Sequence, residues 1–167
     1  DGIRGSRPDL LEQPVEHDAL DGLKRIRHRA PCPLSADESV ASIREATTLI
    51  REQAVDVFSI KVSKNGGLSK AKKIAELAHA FGLKVLMNSM FDFGITQAAS
   101  LQLGCALPNL LDIGHAYMSV LRMSDDITDF DQNISDGIAT IPTGPGLGIT
   151  LDEDKLQKYT KDYLKID

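Results

Sequence analysis

From Pro8 to about Tyr117 the chain alternates short, β-prone apolar runs with segments of helical period, and no other feature constrains its fold so strongly. PDLLEQPV (8–15), CPLSADES (32–39), VDVFSIKV (55–62), LKVLMNS (83–89) and NLLDIG (109–114) read as strands. Between the first two, DALDGLKRIRHRA (18–30) places Leu20, Leu23 and Ile26 on one helical face. Ser42 and Glu45 form a Ser-x-x-Glu capping box that opens a helix to about Gln53. Ile74, Leu77, Ala78 and Phe81 keep helical spacing in a helix that Ser69 is placed to cap and Gly82 to stop. GITQAASLQLGCAL (94–107) is apolar enough to be a buried helix. Strands joined by single helices imply parallel pairing through right-handed crossovers, an α/β fold.

Beyond Tyr117 the alternation stops. MSDDITDFDQNISDG is acidic and turn-rich, IATIPTGPGLGITL is rich in Gly and Pro with short β-prone pieces, and DEDKLQKYTKDYLK is a polar tail of helical character. A formal net charge of −5 gives no electrostatic support to nucleic-acid binding. No apolar run approaches the ~20 residues that a membrane span needs. Cys32 and Cys105 stand alone in apolar stretches without metal or redox spacing, and a reducing, cytoplasmic location is the expectation.

The strands end in polar or ionisable residues: Glu12, then Asp37 and Glu38, then Lys61 and Lys64, then Asn88, Ser89 and nearby Asp92, then Asp112 with His115 beyond. In parallel α/β folds the C-terminal strand ends share one face, where active sites gather. Two carboxylates from adjacent strands, Glu12 and Asp37, suit a hard cation such as Mg²⁺, which takes oxygen ligands. A lysine facing that cation has its ammonium form disfavoured, as a general base requires. Taken singly, each of these groups reads as a solvated charge or, for Lys61, a lysine lying along a strand edge. Glu38 reads equally as an outer partner of the metal ligands or as a helix-entry charge, and Lys64 as an electrostatic neighbour or a turn lysine. Asn65-Gly66-Gly67 reads as a turn, since the Walker phosphate-binding pattern is absent. His17, His28 and His79 fall on helices or their entries and read as surface groups.

Taken together, LLEQPV, LSADESV, IKVSKNGGLSKAKKIAELAHAFGLKV and ISDGIATIPTGPGLGITLDED resemble the enolase superfamily in its mandelate racemase and muconate lactonizing enzyme branch, over nearly the whole chain. The resemblance implies a partial (β/α)₇β TIM-like barrel, strands four to eight, over residues 1–117, and a C-terminal segment, 118–167, that joins a capping domain. It implies Glu12 and Asp37 as Mg²⁺ ligands and Lys61 as catalytic base. Lys64, Asn88, Asp92, Asp112 and His115 become candidates for substrate or electrostatic contacts, with Glu38 behind the ligands. The resemblance also implies that a third carboxylate ligand, and an opposing lysine from a K-x-K element on an earlier strand, lie in an N-terminal half outside this chain. Half a barrel exposes sheet edges and apolar inner faces, so that missing half, or a partner in a homo-oligomer, is expected to cover them.

The chemistry implied is proton abstraction α to the carboxylate of a small substrate, through an enediolate, leading to racemisation, epimerisation or cycloisomerisation. A dehydratase acting on acid sugars or a hydroxyproline is the alternative, and a non-catalytic scaffold the third reading. Asn88 stands where the pattern usually has glycine, and Asp92 takes the acidic place after it. No histidine–aspartate dyad is evident, which favours the lysine-based, muconate-lactonizing type.

Overall fold

The structure, a computed structural model, describes residues 5–162. Its centre is a four-stranded parallel sheet: β1 (Leu11–Glu12), β2 (Leu34–Ala36), β3 (Val57–Ile60) and β4 (Lys84–Met87), in that spatial order. Helices α1 (Leu20–Arg27), α2 (Ile43–Arg51) and α3 (Leu68–Ala80) connect them, and α4 (Gly94–Cys105) follows β4. Sequential strands are therefore spatial neighbours, each crossover carrying one helix, as the alternation predicts.

The register gives the sheet two unlike faces. Leu11 pairs with Leu34, Ala36 with Phe58, and Ile60 with Met87, and these side chains enter the core against the helices. Successive side chains alternate across a strand. Glu12 pairs with Ser35, Ser35 with Val57 and Ser59 with Leu86, so the opposite face runs on to Asp37, Lys61 and Asn88. A slip of one residue in any strand would exchange the two faces.

The helix ends follow local chemistry. Ser42 Oγ accepts from Glu45 N–H, and Glu45 Oε2 accepts from Ser42 N–H at 2.8 Å, the predicted capping box of α2. α3 ends in a Schellman motif: Gly82, at φ +75°, donates to His79 O and Leu83 donates to Ala78 O. Its start departs from expectation. Gly66 and Gly67 both take positive φ, and the helix begins at Leu68 with Gly67 as its N-cap. Ser69 is thus inside the first turn and caps nothing, because the glycine pair turns the chain into the helix two residues earlier.

The fifth predicted strand is only partly formed. Val85 donates to Asn109 O and accepts from Leu111 N–H, and Leu110 makes an isolated parallel bridge. Ile113 N–H then turns back to Leu111 O, which breaks the ladder. Beyond it, the Met87 N–H donates to His115 Nδ1 at 3.1 Å and Ala116 N–H to Met87 O. The first strand is also shorter than 8–15, because Gln13 adopts φ +35° immediately after Glu12.

Two short 3-10 turns, Ser119–Arg122 and Phe130–Asn133, lead to a small antiparallel pair, β5 (Ile134–Ser135) and β6 (Ile138–Ala139), and to α5 (Glu153–Tyr159). This tail returns to α4: the Asp126 carboxylate accepts from Gly94 N–H at 2.9 Å and from the Thr128 backbone N–H and hydroxyl. The closeness leaves no room for a side chain at residue 94, whose Cβ would lie 1.9 Å from Thr128 Oγ1. Of the polar tail, residues 163–167 lie outside the described residues. Among the described residues no helix is long and apolar enough to cross a membrane. Cys105 is exposed at the end of α4 rather than in an apolar setting, and both cysteines are free thiols.

Candidate functional site

The polar face of the sheet brings Glu12, Asp37, Lys61, Lys64 and Asn88 to its C-terminal edge. Asp37 is buried there, and its carboxylate is shared by two ammonium groups: Lys61 Nζ at 2.5 Å from Oδ2 and Lys64 Nζ at 2.8 Å from Oδ1. Burial pushes the Asp37 carboxyl up, but the hydrogen bonds and charges of Lys61 and Lys64 outweigh it and hold it below the usual carboxylate range. Burial also holds Lys64 below lysine's ordinary value, against the pull of Asp37.

The direction of that shift alone would nominate Lys64 as a base. Donor accounting points elsewhere. An ammonium has three N–H groups, and Lys64 commits three hydrogen bonds, to Asp37 O, Asp37 Oδ1 and Ser59 O. Lys61 Nζ has one hydrogen-bond partner among the described residues, Asp37 Oδ2, which leaves N–H groups for a ligand. Lys64 is therefore a strut, and Lys61 is the lysine with chemistry to spare.

Two carboxamides that the strand-end reading passed over hold this arrangement. Gln13 Oε1 accepts from Asp37 N–H and Ser39 N–H, while its Nε2 donates to Val15 O and Ser39 Oγ. These four bonds offset the cost of positive φ at a residue with a side chain, about 1 kcal/mol or more. Asn65, fully within the protein, accepts from Lys61 N–H and donates to Val40 O and Ala41 O, tying the end of β3 to the entry of α2. The available signal was position: an uncharged amide directly after Glu12, and another four residues after Lys61.

Glu12 is exposed, and Asn88 reaches it. Asn88 Nδ2 donates to Glu12 Oε1 at 3.0 Å and to Ser59 Oγ at 3.1 Å. The other candidates stand apart from this group. Asp92 folds back on its own loop, accepting from Met90 N–H, and Asp112 is exposed. His115 lies against the edge of β4, its Nδ1 occupied by Met87 N–H, and burial keeps it below the usual imidazole value. Glu38 is exposed beside Gln13 and His17. His17, His28 and His79 are on the surface, as predicted.

The donors match a hard divalent cation in kind, two carboxylates from neighbouring parallel strands: Glu12 Oε2 is free of partners among the described residues, while each Asp37 oxygen carries a lysine ammonium with which a cation would have to share it. In number they are two, and no group of three His, Cys, Asp or Glu side chains converges among the described residues.

The sequence matches the family described as enolase C-terminal domain-like over residues 3–155. It is 35% identical over 153 residues to the chloromuconate cycloisomerase CbnB of Cupriavidus necator, covering 92% of this chain and 41% of that protein. The muconate lactonizing enzyme of Pseudomonas putida superposes with a TM-score of 0.86 at 31% identity, over 96% of this chain and 46% of that one. An N-succinyl Arg/Lys racemase of Bacillus cereus superposes with a TM-score of 0.87 at 28% identity, over 95% and 42%. The chain thus spans about two fifths of the length of the curated relatives it matches. It belongs to the enolase superfamily, in the mandelate racemase and muconate lactonizing enzyme branch, and its parallel sheet corresponds to the C-terminal half of that superfamily's barrel.

Proposed function

We propose that this chain supplies the metal-side carboxylates and one catalytic base of an enzyme that removes a proton α to a carboxylate. The observation that carries the reading is the Lys61–Asp37 pair at the C-terminal edge of the sheet, with Glu12 on the same face and N–H groups of Lys61 uncommitted. Glu12 and Asp37 are the residues that would hold Mg²⁺. When bound, such a cation supplies positive charge where the substrate carboxylate gathers electrons as the proton leaves.

The chain's own residues do the rest. Lys61, when deprotonated, accepts the α-proton at Nζ and the substrate becomes an enediolate; a proton delivered to the other face by an opposing base outside this chain gives the inverted product, and in the reverse direction the Lys61 ammonium is the donor. Lys64 stays bound to Asp37 and Ser59, so the carboxylate keeps its place while Lys61 changes charge. Gln13 and Asn65 fix the backbone on either side. The names of the relatives, cycloisomerases and a racemase, favour an isomerisation over loss of water.

The test is solvent-isotope exchange. The full natural polypeptide carrying this sequence, incubated with Mg²⁺ in D₂O and a panel of small carboxylates, should place deuterium at the α-carbon of its substrate. K61M should abolish that exchange on one face. Exchange without loss of water identifies an isomerase, and a 2-keto product identifies a dehydratase. Full exchange by K61M would remove Lys61 from the mechanism.

A further inference from the structure

Asn88 lies at the end of the last strand of the sheet and Glu12 at the end of the first, with two strands between them. Their side chains meet because the sheet curls, and the contact is specific in direction. Both hydrogens of the Asn88 amide nitrogen are committed, one to Glu12 Oε1 at 3.0 Å and one to Ser59 Oγ at 3.1 Å. Its Oδ1 accepts from Ser89 N–H at 2.8 Å. Rotating the amide by half a turn would set oxygen against the Glu12 carboxylate and nitrogen against the Ser89 N–H, so a single orientation satisfies all three contacts. The backbone beneath is equally defined, with Asn88 N–H donating to Ile60 O.

Glu12 is otherwise unrestrained. It is exposed, and among the described residues Asn88 is its hydrogen-bond partner. A free glutamate side chain gives up rotamer freedom when it is held in one pose. Asn88 takes that loss during folding, before any ligand arrives, and occupies Oε1 while leaving Oε2 open.

We propose that Asn88 is the positioning residue for Glu12: its carboxamide orients the carboxylate for a divalent cation and closes the curl of the sheet across the mouth of the site. This rests on the reading of Glu12 as a metal ligand. An asparagine is needed for it, because aspartate would lose both donors and place a second negative charge against Glu12, while alanine or glycine would leave Glu12 to sample its rotamers.

The experiment is a Mg²⁺ titration of thermal unfolding on the full natural polypeptide, unsubstituted and as N88A, E12Q and the double variant. In N88A the half-saturating Mg²⁺ concentration should rise by about tenfold, the lower end of the range for removing an outer partner of a metal ligand. In the E12Q background the same substitution should add nothing, because the group it orients is no longer a carboxylate. Should N88A fail to fold, N88L, which fills the same space without a donor, carries the same comparison. An unchanged Mg²⁺ midpoint in the Asn88 variant, or an equal effect with and without Glu12, overturns the proposal and leaves Asn88 a general strut. No Mg²⁺ response in the unsubstituted protein overturns the metal reading itself, and the positioning role with it.

Discussion

Lys64 grips Asp37 twice, by its backbone oxygen at 2.6 Å and by carboxylate Oδ1 at 2.8 Å, and anchors the same ammonium on Ser59 O of the next strand. One lysine thus fixes both the path of the chain after β2 and the direction of its carboxylate. Lys61, on the other carboxylate oxygen, is bound once.

This division separates two variants. K64M should lower unfolding stability by about 2–3 kcal/mol, since it leaves Asp37 and two backbone oxygens with fewer buried partners. K61M should remove isotope exchange, a loss of roughly 10²-fold or more, with a smaller stability change. Urea unfolding and D₂O exchange on the same samples check both halves.

Asp37 gives the site an acid limit. Its carboxyl is held below the ordinary value by Lys61 and Lys64 against the opposing effect of burial. The unfolded chain therefore takes up the proton first as pH falls, so this stabilisation is complete above the ordinary carboxylate range and is lost as pH drops through the lower folded value. Stability measured from pH 5 downward should fall more steeply in the unsubstituted protein than in D37N.

His115 works in the same direction at milder pH. Burial lowers its folded value, and its Nδ1 accepts the Met87 N–H, which a protonated ring cannot do. The unfolded state binds the proton more readily near pH 6, so stability should rise with pH between 5 and 7. H115F should flatten that slope, read by denaturant midpoints across the interval.

Gly94 is closed to larger residues. A Cβ there meets Phe130 Cβ at 2.7 Å and Asp126 Oδ1 at 2.9 Å as well as Thr128. G94A should cost about 3 kcal/mol, the upper range for overpacking, because the clash falls on the contact between tail and α4. D126A should cost less, about 1–2 kcal/mol, from the lost cap at Gly94 N–H. Thermal or urea unfolding distinguishes the two.

The strands were legible as short apolar runs that end in polar residues. Which face each residue takes was not, because Val57 and Phe58, like Val85, Leu86 and Met87, are apolar on both faces, and only the pairing register puts Glu12, Asp37 and Lys61 on one side. The charged members of the site were legible from residue type. Gln13 and Asn65 were not, because their position after Glu12 and Lys61 marks them as neighbours of the site but does not reveal the backbone groups they reach, at Asp37, Ser39 and Val40, until these are folded beside them. NLLDIG misled for a related reason. Its composition suits a strand, but the turn at Ile113 gives the next hydrogen bond of β4 to the His115 ring, and a side chain standing in for a backbone leaves no periodic trace. Ser69 failed as a cap because a glycine pair can start a helix through backbone conformation alone.

The sheet order, in which every strand pairs with the one made just before it, bears on how the chain is born. Each β-strand leaving the ribosome finds its neighbour already synthesised, one helix earlier, so the sheet can grow in the direction of translation with short loops to close at every step. The reach from Asn88 to Glu12 is the exception, a contact between the first and the last of these four strands. It needs both outer strands in place, which turns the assembly of the mouth into a record that all four strands have arrived.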